Sequence, residues 1–134
     1  MKKLEKQNIS GSSNSSIGKR NRRRGNNYER KIVNELKEIT KNENICTSRS
    51  ESKRLDDAKI DIADPDGVLP FYVQIKCTQA IPQVKRITAE VGKKDLPTII
   101  VWNAQEAKEK KQVSVGEYVI LPKDLFYDLL KNLY

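Results

Sequence analysis

Histidine is absent from this 134-residue chain, and no other feature of its composition excludes as much. A Ser-His-Asp triad is ruled out, as is any chemistry that needs an imidazole base or a zinc site of the usual Cys/His type. The two cysteines, Cys46 and Cys77, do not form a CxxC pair; both fall in apolar, strand-like runs and read as buried thiols. No apolar run approaches the ~18 residues of a membrane span. The basic N-terminus has no apolar stretch behind it, so it does not read as a secretory signal. The expectation is an intracellular, cytoplasmic protein with no membrane partner and no small-molecule cofactor. Aromatics are few, at 6%, and Trp102 and Tyr72 read as packing residues rather than base-stacking platforms. Any catalysis must therefore come from carboxylates, amides, lysines or tyrosines.

Charge is plentiful, at 33% of residues, and unevenly placed. Residues 1–31 hold ten Lys/Arg against Glu5 and Glu29, whereas the remainder holds sixteen of each sign, so the whole excess of +8 lies in the first quarter. A neutral body behind a basic segment suits a polyanion, because Lys/Arg contacts to phosphate release condensed counterions. Lys19, Arg20, Arg22, Arg23, Arg24 and Arg30 are the candidate phosphate contacts there. Residues 1–24, rich in Ser, Asn and Gly, read as a flexible basic arm, and 25–134 as a single domain.

From Asn26 to Thr40, Tyr28, Ile32, Val33, Leu36 and Ile39 share one helical stripe, with Glu29 in the first turn, where a helix N-terminus favours an anion. Asn44–Ser48 alternates as a strand. Arg49–Lys59 reads as a charged loop in which Arg49, Lys53 and Arg54 suit phosphate better than Glu51, Asp56 or Asp57 suit a metal. Lys59–Asp64 alternates as a short strand, Asp64-Pro65-Asp66-Gly67 is a turn, and Leu69–Cys77 is a second strand. The two strands are expected to pair as an antiparallel hairpin. A helix over Ala80–Val91, strands over Thr98–Trp102 and Val113–Leu121, and a helix over Lys123–Leu133 after Pro122 complete the order α-β-β-β-α-β-β-α. The expected fold class is α/β, a mixed central sheet flanked by helices.

The chemistry gathers around the expected hairpin. In Val73-Gln74-Ile75-Lys76-Cys77 the apolar residues face one way, and Gln74 and Lys76 the other, about 7 Å apart along the strand. In Ile60-Asp61-Ile62 the isoleucines face the core and Asp61 faces out. An acid, an amide oxygen and an ammonium thus share a face. A hard cation such as Mg²⁺ takes oxygen ligands: Asp61 supplies an anionic one, Gln74 a neutral one, and the Ile75 backbone carbonyl a third. Lys76 suits water orientation and charge relief on phosphate oxygens. Glu29 reaches the same metal directly or through water.

Asp61, the turn, and Gln74-Ile75-Lys76 resemble the PD-(D/E)XK nuclease superfamily. Glu29, within Gly25-Asn26-Asn27-Tyr28-Glu29-Arg30, resembles the helix-borne acid of archaeal-type Holliday junction resolvases, over roughly residues 19 to 103. The resemblance implies a restriction-endonuclease-like core of order α-β-β-β-α-β. It implies Glu29, Asp61, Gln74 and Lys76 as catalytic residues, and Mg²⁺, with Mn²⁺ as substitute, on Asp61, Gln74, Ile75 and Glu29. It also implies a homodimer acting on branched DNA. Two positions depart from the pattern: Ile60 stands where the superfamily has proline, and Gln74 where it has Asp or Glu, one negative charge fewer at the metal. Three other functions stay open: a restriction or repair nuclease acting on linear DNA, a non-catalytic DNA-binding protein of the same fold, and a basic-tailed packaging protein.

Overall fold

Long unbranched side chains lose little rotamer freedom in a helix, and the Lys/Arg-rich tract at 19–24 lies inside one. In the computed structural model, which describes the backbone of residues 2–51 and 53–134 and the side chains of 16–51 and 54–134, helix α1 runs from Lys2 to Thr40. It crosses the expected boundary between residues 24 and 25 without interruption. Glu29 therefore lies mid-helix, so the helix-terminus argument for its charge does not apply. The apolar stripe behaves as expected at Tyr28, Ile32 and Val33, which are buried, but Ile39 is 76% exposed.

Two two-residue strands, β1 (Cys46–Thr47) and β2 (Ile62–Ala63), pair antiparallel. Between them the expected loop holds two short helices, α2 (Ser48–Glu51) and α3 (Lys53–Asp57). Helix α3 ends in a Schellman arrangement: the N–H of Lys59 bonds to the Asp56 carbonyl, and that of Ile60 to the Leu55 carbonyl. Lys59 takes the left-handed conformation, φ 61°, that usually falls to glycine.

The main sheet has the order β3 (Tyr72–Thr78), β4 (Thr98–Lys108), β5 (Lys111–Ile120). Strands β3 and β4 run parallel and are joined through α4 (Val84–Glu90), whose start is delayed past Pro82, while β4 and β5 run antiparallel. The hairpin expected between residues 59–64 and 69–77 does not form. The parallel ladder to β4 gives β3 seven paired positions, and β2 has only two residues to offer. Residues 108–111 form a tight hairpin between β4 and β5. Glu109 and Lys110 both have positive φ, as a two-residue type I′ turn requires. The fold class is mixed α/β with a three-stranded mixed sheet and flanking helices.

Alternation then assigns the two faces. Val73, Ile75, Ile99 and Val101 meet Tyr28, Ile32 and Val33 of α1 and Leu125 of α5 (Lys123–Lys131) in the main core. Gln74, Lys76, Ile100 and Trp102 lie on the opposite face, beneath α4, where Ile100, Ile87 and Val91 are buried. Each fully buried aliphatic side chain contributes roughly 1.5–3 kcal/mol. Of the apolar side expected for α5, Leu125 is buried, whereas Phe126, Leu129 and Leu133 are exposed. Cys46 and Cys77 are free and half-buried rather than enclosed. Among the described residues no helix is long and apolar enough to cross a membrane.

Candidate active site

Strand β3 lies at the edge of the main sheet, with β4 on one side only. On its other side, among the described residues, the backbone is hydrogen-bonded by Asp61, just before β2. The Asp61 N–H donates to the Val73 carbonyl at 3.0 Å, and the Asp61 Oδ2 accepts the Ile75 N–H at 2.7 Å. In a strand the N–H and C=O of one residue point the same way, so the Ile75 carbonyl faces the same unpaired edge. Asp61 is thus fixed to β3 by two bonds without a β2–β3 ladder, and the Ile75 carbonyl is left available beside it. Ile60 and Ile62 on either side of it are buried in the core at 1% and 4% exposure, while Asp61 itself is half-buried.

A cavity of about 380 Å³ opens at this point, and Glu29, Asp61, Gln74, Ile75 and Lys76 all line it. The five residues singled out for the site therefore converge, although the hairpin expected to gather them is absent. Gln74 is only 5% exposed, and among the described residues its side-chain amide has no hydrogen-bond partner. The amide borders the polar cavity. Lys76 is half-buried and pairs with no acid among the described residues.

Three further charged residues at the cavity were not expected: Asp56, Lys59 and Glu90. Asp56 and Lys59 are brought in by the end of α3. Glu90 comes from the end of α4, which is tied to the same segment by the Gly92 N–H bonding to the Ala58 carbonyl at 2.8 Å. A side chain at Gly92 would press on Ala58 at 3.2 Å, so glycine permits this close approach. Alternation in the sequence carries no signal for residues gathered by helix ends.

The electrostatics are those of crowded acids. Burial pushes the Asp61 carboxyl up to about 6 from its ordinary 3.8, and the charges of Glu29 and Asp56 push the same way; the Ile75 N–H and Lys76 oppose them. Burial also raises the Glu29 carboxyl, against the pull of Arg49. Arg49 Nη2 contacts Glu29 Oε2 at 2.7 Å. This residue, expected at phosphate, is thus engaged with a site acid. A hard divalent cation fits the donors in kind: half-buried carboxylates that repel one another, and an amide and a carbonyl without a partner among the described residues, all oxygen. Gln74 and Ile75 add no charge, and among the described residues no three Asp, Glu, Cys or His side chains cluster closely enough to hold a metal by themselves.

The other cationic residues divide. Arg20, Arg23 and Arg24 line a groove of about 470 Å³ with Asn27, Lys31 and Asn103. Lys31 is ion-paired there to Glu117 at 2.9 Å. Tyr28, beneath the groove, buries its hydroxyl without a partner of good geometry, and burial, followed by the nearby Glu117 carboxylate, holds that hydroxyl well above the usual tyrosine range. Lys19, Arg22 and Arg30 are exposed elsewhere along α1, and Arg54 is exposed on α3. The Lys53 side chain lies outside the described residues. No protein-family model, curated protein or solved structure matches the chain.

Proposed function

We propose that this chain is a metal-dependent DNA endonuclease of the PD-(D/E)XK kind, hydrolysing phosphodiester bonds, with branched DNA as its substrate. The observation that carries the reading is the meeting of Asp61, Gln74, Ile75, Lys76 and Glu29 at one polar cavity on the open edge of β3. Asp61, the Gln74 amide oxygen, the Ile75 carbonyl and Glu29 would hold Mg²⁺ or Mn²⁺. When bound, that ion supplies Lewis acidity toward the phosphate and its attacking water. The protein's own contribution is placement. Asp61 is held by two backbone bonds, so its free Oδ1 is presented in one orientation. Lys76, on the same face one pleat beyond Gln74, offsets charge that builds on the phosphate oxygens. The Arg20–Arg24 groove tracks the backbone of the nucleic acid.

A homodimer belongs to the same reading. Ile39, Val119 and Leu129 leave apolar surface exposed around a largely apolar cavity of about 390 Å³ between α1, the sheet and α5. Sedimentation of wild type beside Val119→Glu tests it: a dimer that the variant dissociates supports the pairing, and a wild-type monomer removes it.

One observation favours a second reading, a non-catalytic DNA-binding protein of this fold: no cluster of three acids gathers at the site among the described residues. Cleavage of a labelled four-way junction and a matched linear duplex, in Mg²⁺, Mn²⁺ or EDTA, with wild type beside Asp61→Asn, separates the two. Metal-dependent nicking of the junction that Asp61→Asn abolishes supports the nuclease and its branched substrate. Equal cutting of both DNAs keeps the nuclease and discards the junction. Tight binding with no cutting favours the second reading.

A further inference from the structure

Lys76, Trp102 and Tyr118 occupy one rung of the main sheet. Lys76 pairs with Trp102 across β3–β4, and Trp102 with Tyr118 across β4–β5, so all three side chains leave the same face. That face is the one that carries Gln74. Strands lie about 4.8 Å apart, which sets Trp102 roughly 5 Å and Tyr118 roughly 10 Å from the Lys76 backbone. At ~3.4 Å per nucleotide step, this is within about three nucleotides of a phosphate at Lys76.

The two rings are positioned as a surface rather than as core. Their centroids are 5.6 Å apart and their planes 35° from parallel. The Trp102 indole N–H is tied to the carbonyl and hydroxyl of Thr78, both at 3.1 Å, which fixes the ring without enclosing it. Tyr118 remains 53% exposed. Its ring lies over Gly116, where a Cβ would come within 2.7–2.9 Å of ring atoms, so the missing side chain makes room for this pose. An indole anchored by its one polar atom, beside a phenol laid over a glycine, next to an unpaired ammonium, has the chemistry that takes an aromatic base attached to a phosphate.

We infer that Trp102 and Tyr118 form a stacking platform for an unpaired nucleotide of the DNA held at the Asp61 site. The inference rests on the nuclease-fold reading for its ligand and deepens it by naming the substrate feature. A base within a duplex has both faces covered by its neighbours and cannot stack on a flat sheet. An unpaired base at a branch, flap or gap can do so, with its phosphate directed toward Lys76.

Trp102 is the chain's single tryptophan, so its intrinsic fluorescence reports on the platform alone. The full chain is titrated in EDTA, which suppresses cleavage, with an oligothymidine dodecamer, an abasic dodecamer of equal charge, and a matched duplex. Stacking predicts strong quenching by the oligothymidine and little by the other two. It also predicts affinity for oligothymidine falling roughly 5- to 100-fold in Tyr118→Ala, while Trp102→Phe, followed by anisotropy of a labelled oligonucleotide, keeps most of it. Equal quenching by abasic strand or duplex overturns the inference, as does a Tyr118→Ala variant that binds oligothymidine like wild type. Because these readouts need no cleavage, a platform that fails leaves the nuclease reading to its own assay. A protein that binds bases but never cuts keeps the platform and discards the nuclease.

Discussion

The Asp61 carboxylate accepts the Ile75 N–H at 2.7 Å, and this bond, together with that from the Asp61 N–H to the Val73 carbonyl and not a strand ladder, joins the β2 segment to the open edge of β3. Burial disfavours the charged form of the same carboxylate. Its pKa in the fold is about 6 against an ordinary 3.8, so between those values the folded protein holds a proton that the unfolded chain has released. Stability from this group is therefore fully present below about pH 4 and is lost as pH rises through about 6. The loss is on the order of 3 kcal/mol at most, from roughly two pKa units. Asp61→Asn keeps an oxygen for the Ile75 N–H and cannot ionise. In urea melts with EDTA, the variant is expected to be the more stable protein at pH 8 and to lose part of the wild type's decline between pH 4 and 7. Mg²⁺ is expected to stabilise wild type and not the variant. A variant less stable than wild type at pH 8 would show that the ionised carboxylate is a net stabilising group.

Arg49 holds Glu29 at 2.7 Å, where it acts as a tethered cation. Its charge and hydrogen bond both lower the Glu29 carboxyl, against burial. Arg49→Ala is therefore expected to move the Glu29 titration to higher pH, as followed by carboxyl carbon NMR. It should also raise Mn²⁺ affinity severalfold in calorimetry, because a competing cation has gone. A drop in Mn²⁺ affinity would mean instead that Arg49 serves to aim Glu29.

The strand phasing around the site was legible because alternation is a local signal: Val73 and Ile75 against Gln74 and Lys76 needed no partner to be read. So was the Asp64–Gly67 turn, where Gly67 takes φ 63° and the Asp64 carboxylate accepts the N–H groups of Val68 and Leu69. Pairing partners were not legible. Nothing in Ile62-Ala63 says that it prefers Cys46-Thr47 to Tyr72–Thr78; that choice is made by the longer ladder between β3 and β4. The β4–β5 hairpin was hidden because Glu109-Lys110 adopts a turn that Asn-Gly usually announces. Asp56 and Glu90 were missed because helix ends, not periodicity, bring them to the cavity. Trp102 read as packing and Tyr118 was not singled out, because only the strand registers place both in the rung of Lys76.

Lys59 adopts φ 61° at the end of α3 and lines the site cavity. A non-glycine residue in that conformation costs roughly 1 kcal/mol. Backbone strain beside a functional site suggests that the side chain is used. Lys59→Gly relieves the strain and removes an ammonium from among Asp56, Asp61 and Glu90. Chemical denaturation is expected to show a gain of up to ~1 kcal/mol, while DNA affinity measured at low salt falls. Unchanged affinity together with greater stability would reduce Lys59 to a helix terminus.

Arg20, Arg23 and Arg24 lie three and four residues apart on one side of α1, facing a single groove with Asn27 and Lys31. Only Arg24 has a side-chain partner among the described residues, Asn21 at 3.3 Å, so these guanidinium groups are available to phosphate. Each phosphate contact to duplex DNA contributes about −0.9 to the slope of log K against log salt. Replacing all three with Gln is therefore expected to make that slope less steep by roughly 2–3 on duplex or junction DNA. The loss should be the same across sequences, because phosphate contacts carry no base information. Replacing Lys19, Arg22 and Arg30, which do not line the groove, with Gln should change it by less. Equal effects from the two triple variants would mean that α1 attracts DNA by its total charge, and the groove would then have no part in positioning the backbone.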